Sequence, residues 1–388
     1  MMINESWEEF WWNNITGAHV VVSKVADALL ENQMVLLKVP SDLPWRYSMR
    51  SSIHTAFQER TDARDVVIEA IDVVDDNPND LEPGRFLLQK YASSAVCNGY
   101  REKSKVSIQD YIAQKGVIRN RILWIKGLEG TTAGKWIKFC KGFTPKTAAE
   151  GLFVLEIHGK VEPPDSRFIE YIDFSECVSN YDVQLFNSFV LDEDEEIAYG
   201  SDIWKKYISA TAAMVCEVDA EVSELLLRDV DFRKESAIDG IARISEMEEF
   251  SRRGAEVGSN HVLWLYRNNK TSELNHRIWA SQVQVLFPVI EMERIELIEK
   301  YRKEISQALT DNHITQYGEQ ITDPMDVELG SLCFMMRNKQ ENGFYKYMLY
   351  IPDEFDRDRI SFLHDCRNSI AHVSICEPEQ VRRLLDKK

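Results

Sequence analysis

The run Met34-Val35-Leu36-Leu37-Lys38-Val39, ended by Pro40, is nearly all apolar and too short for a helix of ordinary length. It constrains the fold more than any other segment, because a strand covered on both faces needs such a run. A helical pattern over Val21 to Glu31 leads into it. A loop from Ser41 to Tyr47 and a helix-like stretch from Arg50 to Glu59 lead away. Further short apolar runs follow at Asp65 to Val74, Phe86 to Tyr91, Arg121 to Ile125, Leu152 to His158 and Phe168 to Phe174, separated by helical stretches or turn residues. The spacing predicts an α/β layer fold with a mostly parallel sheet.

At 388 residues the chain is long enough for two or three domains. Its 44% hydrophobic and 28% charged residues are those of a globular protein with real cores. No stretch reaches the roughly 18 uninterrupted apolar residues of a membrane helix. The segment Met1 to Trp12 carries Glu5, Glu8 and Glu9 where a targeting signal would be basic and then apolar, so the expected location is cytoplasmic, with no membrane contact. A net charge of −18 argues against general coating of nucleic acid, which relies on neutralising many phosphates. Any such contact must be local, and cations do cluster late, at Arg357, Arg359, Arg367, Arg382, Arg383, Lys387 and Lys388. The seven cysteines are scattered and never spaced as a C-x-x-C pair. They indicate neither a disulfide framework nor a metal site, and no cofactor is called for.

Two loops sit where a nucleotide's phosphates would bind in an α/β sheet. The segment Val39 to Arg46 follows the first strong strand but contains no glycine, so its backbone does not readily wrap a phosphate. The segment Gly127 to Trp136 also follows a predicted strand. Only three residues separate Gly130 from Gly134 where the P-loop needs four, and Trp136 replaces the hydroxyl that would hold magnesium. The order of elements over residues 15 to 190 resembles P-loop ATPases of the AAA type. Because both phosphate-binding elements depart from the pattern, the resemblance implies a degenerate P-loop fold used for sensing or assembly, with no catalytic residue carried over.

Around Leu191 the composition changes. The acidic run Asp192 to Glu196 reads as a solvated loop entering a helix, with a metal site as the sharper alternative. Amphipathic stretches follow over Ser201 to Leu227 and Phe232 to Arg253, then a connection over 254 to 277 interrupted by the apolar piece His261 to Tyr266. From Arg277 a long helical stripe runs through Ile278, Leu286, Ile290 and Tyr301, with Pro288 inside it. Further helices are expected at Asp326 to Arg337, from near Asp356 through Ile360, Leu363, Cys366 and Ile370, and at Glu377 to Lys387. Phe344 to Ile351 is a strand or an irregular crossing. The expected domains are an α/β domain over 1–200, a helical connector over 201–277 and an all-α bundle over 278–388.

The third of these late helices carries Arg367-Asn368-Ser369-Ile370-Ala371-His372. An arginine stays protonated and holds a phosphate through a planar fork, while a histidine exchanges protons near neutral pH. An arginine followed by Asn and separated by four residues from a histidine, on the third helix of a small bundle, resembles the signature of HEPN domains. The resemblance covers about residues 278–388. It implies a metal-independent endoribonuclease whose homodimer brings two motifs together, acting on RNA. His372 would exchange protons with the 2′-hydroxyl or leaving oxygen, Arg367 would stabilise the scissile phosphate, and Asn368 would position one of them. Many such nucleases joined to ATPase-like domains are toxins or antiphage defence effectors, which is the role the resemblance suggests.

Regular helix geometry complicates the pairing. Residues five apart are separated by about 140° around the axis, so Arg367 and His372 do not share a face inside a helix. Val373 and Ser374 suggest that the helix ends near His372, which would free its ring to turn. Alternatives remain: an inactive HEPN-like bundle in a regulatory or assembly protein that binds a nucleotide or partner, or an arginine and histidine that merely cap a helix end beside Asp365. His364 lies two turns before His372 and could line the same cleft or be packed or solvated.

Overall fold

The computed structural model describes residues 6–60, 66–101, 105–144, 151–193, 200–256, 259–312, 314–316, 319–337, 339–341 and 344–386. Asp194, Glu195 and Glu196 of the acidic run lie outside these residues, as do Glu5, Asp65, Lys387 and Lys388. The chain divides into two compact units. One comprises residues 1–193 with 217–222 and 253–257, and the other 194–216, 223–252 and 258–388.

The first unit is built on five strands, β1 (Met34–Lys38), β2 (Val67–Asp72), β3 (Arg121–Leu128), β4 (Leu152–Ile157) and β5 (Ile169–Asp173), in the order β2-β3-β4-β1-β5. All pairings are parallel. Every residue of β4 is buried and β1 is buried until Lys38, as expected of central strands covered on both faces. One layer holds α1 (Trp7–Asn14), α2 (Thr16–Leu30) and α3 (Arg46–Glu59), with Trp11, Trp12 and Phe174 among its buried side chains. On the other side of β4, Phe153 packs edge-on against Phe139, and Trp136 meets Phe86.

Of the expected strands, Phe86 to Tyr91 is instead part of a helix, α5 (Pro83–Tyr91), which follows the four-residue α4 (Val73–Asp76). Pro83 occupies its first turn, where a missing N–H costs nothing. Phe86, Leu87 and Leu88 are buried, and so short an apolar run looks the same in a strand and in a buried helix. Short helices α6 (Ser94–Gly99) and α7 (Ile108–Gln114) precede β3, and α8 (Gly130–Lys141), α9 (Phe174–Cys177) and α10 (Asn180–Glu193) follow in the same unit.

Among the described residues the second unit is helical apart from two small hairpins. In chain order it contains α11 (Asp202–Cys216), α12 (Ala220–Asp229) from Ser223 on, α13 (Ala237–Glu246), α14 (Val262–Arg267), α15 (Thr271–Lys300), α16 (Arg302–Asn312), α17 (Leu329–Met336), α18 (Glu354–Ala371) and α19 (Pro378–Leu385). The hairpins pair Thr315–Gln316 with Glu319–Gln320, and Lys339–Glu341 with Phe344–Lys346. The 30-residue α15 contains Pro288 and is the central helix, with α11, α18 and α19 against it. Buried Thr211 and Ser281 hydroxyls bond at 2.9 Å between α11 and α15. No helix among the described residues is long and apolar enough to cross a membrane.

Asp353 caps the start of α18 by accepting from Phe355 N–H. Asp356, one turn in and buried, accepts from Lys300 Nζ and from the Tyr301 hydroxyl. Burial alone would raise the Asp356 carboxyl, but the bonds from Lys300 and Tyr301 prevail and hold it below the usual carboxylate range. A depressed folded value contributes stability that is complete above the unfolded value of about 3.9 and is lost as pH falls through the folded one. Asp356→Asn should therefore lower the urea midpoint near pH 7. The gap from the parent should narrow as the pH approaches 3, whereas a gap independent of pH would show that the charge is not responsible.

Candidate functional site

Four buried side chains, Ile360, Leu363, Cys366 and Ile370, form the seam that presses α18 onto its neighbours. Arg367 and Asn368 follow Cys366 immediately, so they emerge beside the seam, partly exposed. The helix closes at Ala371, and His372 is its C-cap with φ −98°. Ser374 N–H donates to Ser369 carbonyl at 2.8 Å and Val373 N–H to Ile370 carbonyl at 3.2 Å, the double bond pattern of a Schellman closure. The left-handed position of that closure is usually glycine, yet here Val373 holds it at φ +59°. A β-branched residue there is strained, and such strain gathers where surrounding structure enforces a special geometry.

The enforcing groups come from α15. Trp279 Nε1 donates to Ile370 carbonyl at 2.6 Å. Buried Gln282 accepts from Cys376 N–H at 2.7 Å and donates to Cys376 carbonyl at 2.9 Å. The chain is thus pinned just before and just after His372, and the exposed imidazole is carried on a fixed backbone turn. Val373→Gly should remove the left-handed cost of about 1–2 kcal/mol, offset in part by the extra unfolded-state freedom of glycine. The expected result is a modestly higher urea midpoint, and a lower one would mean that the valine side chain contributes more by packing than it costs in strain.

Arg367 donates through Nη1 to Asn368 Oδ1 at 3.5 Å, and its Nη2 lies 3.6 Å from Glu328 Oε2 at the start of α17. Both contacts are long, and a guanidinium has five donors, so an incoming phosphate can take the donors these two contacts leave over. Asn368 Nδ2 lies 3.0 Å from His364 Nε2. His364 Nδ1 lies 3.4 Å from Asp365 Oδ1, and its ring packs over Gly330, where an added Cβ would come within 3.6 Å. The structure therefore joins Arg367, Asn368 and His364 in one chain, with Glu328 and Asp365 at its ends. His372 is on the same helix end, and no hydrogen bond joins it to Arg367 among the described residues.

A second constellation lies at the carboxyl ends of the central strands. Glu156 of β4, fully buried, accepts from Trp124 Nε1 at 2.7 Å and from Arg50 Nη2 at 3.2 Å, with Arg46 Nε at 3.4 Å. The loop after β1 reaches α3 through Trp45, which takes a left-handed conformation at φ +42° without being glycine. Trp45 N–H donates to Glu221 at 2.9 Å, so an internal carboxylate sits where a helix start would attract an anion. Arg253 bonds the same carboxylate at 2.6 Å, pairs with Asp219 and donates to Leu43 carbonyl. Burial disfavours the Arg253 charge, but Asp219 and Glu221 outweigh that and raise its pKa. Lys135, the lysine of the second glycine-rich segment, pairs with Asp80 at 2.7 Å. Among the described residues no three His, Cys, Asp or Glu side chains are grouped to hold a metal ion.

No protein-family model matches the sequence, and no curated protein matches it. The partners Glu328, Glu221 and Arg253 carry no local signal, since Glu221 lies 176 residues from the N–H it binds. His364 does carry one, its spacing of four from Asn368, which places the two side chains together on a helix.

Proposed function

We propose that this chain is a metal-independent endoribonuclease of the HEPN type, with Arg367, Asn368 and His372 as its site and RNA as its substrate. The observation that carries the reading is the helix end at His372. A fixed turn sets an exposed imidazole beside a helix whose preceding turn offers a loosely held guanidinium. RNA brings its own nucleophile, the 2′-hydroxyl. The protein needs to supply a base, an acid and stabilisation of the phosphorane's charge. His372 removes or returns the proton, and Arg367 holds the non-bridging phosphate oxygens through its fork. Asn368 keeps the guanidinium in place.

Arg367 and His372 diverge by about 140° around the helix axis. The two roles are therefore filled most simply across a homodimer, with the arginine and histidine at one phosphate coming from different protomers. The α/β unit is read as a degenerate P-loop fold serving regulation. Its first phosphate loop is bonded to Glu221, which fits a sensing role and not nucleotide hydrolysis. A toxin or defence effector held quiet by such a unit is the role we assign.

The test is incubation of the purified full chain with total RNA in EDTA, beside Arg367→Ala and His372→Ala. Cleavage by the parent and not by either variant supports the reading, and equal behaviour of all three overturns it. Growth arrest on overexpression, relieved by His372→Ala, should accompany the cleavage.

A further inference from the structure

The hydrogen-bond chain through Asn368 favours one arrangement of protons. Arg367 has donors and no acceptor, so the Asn368 atom facing it must be the carbonyl oxygen, as it is at 3.5 Å. With Oδ1 turned to Arg367, the atom facing His364 Nε2 at 3.0 Å is the Nδ2 amide, which has only hydrogens to offer. Nε2 must then accept, and the ring proton must sit on Nδ1. That nitrogen faces the Asp365 carboxylate at 3.4 Å, and the carboxylate favours a hydrogen there. From α17 the ring meets Gly330, which carries no side chain, and Glu328 lies beyond Asn368, at Arg367. The opposite amide orientation would set the Asn368 NH2 against the guanidinium donors and is disfavoured.

We propose that His364 is a positioning residue of the site: in its Nδ1–H form it accepts from Asn368 and thereby keeps the Asn368 oxygen turned toward Arg367. The ring is itself fixed, since its side chain is three-quarters buried and lies over Gly330. His364 does not touch the scissile phosphate in this account. It acts through Asn368, so its loss lets the amide rotate and the guanidinium drift toward Glu328. The proposal rests on the nuclease reading for its effect on rate, but the proton arrangement is independent of that reading.

The decisive comparison is His364→Gln with His364→Leu in the full chain. Glutamine keeps an acceptor oxygen near the position of Nε2, and leucine keeps the bulk without it. RNA cleavage should stay within about threefold of the parent for the glutamine variant and fall about 10²-fold in kcat for leucine, the scale of a misplaced catalytic group. KM should change little. Equal losses in both variants, or none in leucine, would overturn the proposal. A second measurement separates this outcome from failure of the nuclease reading itself. In 15N-histidine-labelled protein, the resonance pair that disappears in His364→Gln should show the Nδ1–H pattern. An Nε2–H pattern overturns the proposal whether or not the parent cleaves RNA, and an Nδ1–H pattern in a protein without nuclease activity retires only the nuclease reading.

Discussion

Replacing His372 by alanine is expected to lower RNA cleavage by about 10²–10⁴-fold, the usual contribution of a positioned acid–base group. The fold should be unaffected, because the imidazole is exposed and the turn beneath it is held by Trp279 and Gln282 through backbone groups. Urea melts of parent and variant should therefore coincide while their rates diverge. Arg367→Ala should produce a loss of similar size, and Arg367→Lys should recover only part of it, since an ammonium replaces the two-pronged grip with a point charge. If the site forms across a homodimer, mixing the two inactive variants should restore some cleavage, because one of the two composite sites in a mixed dimer regains both residues. No restoration at any mixing ratio would place both residues of a working site in one protomer.

The second large effect is on stability and lies in the α/β unit. Arg50→Ala should destabilise that unit by up to about 3–5 kcal/mol, the cost of removing one partner of a buried charge. Glu156 is fully buried in the central strand β4, and the longer contact from Arg46 Nε at 3.4 Å would be the cation left beside it. The double variant Arg50→Met with Glu156→Gln should recover most of the loss. Removing both charges relieves their desolvation, and the glutamine still accepts from Trp124 Nε1. Tryptophan-monitored urea unfolding reads both variants. A double variant no more stable than Arg50→Ala would show that Arg50 acts mainly by packing over Trp124, where its guanidinium lies 5.8 Å from the ring centroid.

The parts of the fold legible in the sequence are those decided within a few residues. Pro40 ends the β1 run, Pro378 opens α19 at its first position, and Ile360, Leu363, Cys366 and Ile370 mark the seam of α18. Val373 and Ser374 signal the helix end at His372, where the closure falls. Phe86 to Tyr91 was misleading because six residues are too few to separate periods of 2 and 3.6. The break between α15 and α16 falls at Tyr301, whose hydroxyl is bonded to Asp356, 55 residues on, a tie that no local pattern announces. The same holds for the β1 loop. Its lack of glycine was plain, but that Glu221 and Arg253 fasten it is a consequence of tertiary packing alone. Within the proposed site, residue types and helix end were readable, whereas the placing of Arg367 between Asn368 and Glu328 required the packing of α17 beside α18.

The central claim is that RNA is cut by attack of its own 2′-hydroxyl at a site containing His372, and the ends of the fragments record that chemistry directly. Total RNA cleaved by the full chain in EDTA should yield fragments ending in 2′,3′-cyclic phosphate or the 3′-phosphate derived from it, each with a 5′-hydroxyl partner, and these ends should be missing with His372→Ala. Fragments bearing 3′-hydroxyl and 5′-phosphate ends, cleavage that survives in His372→Ala, or intact RNA with the parent protein would contradict it.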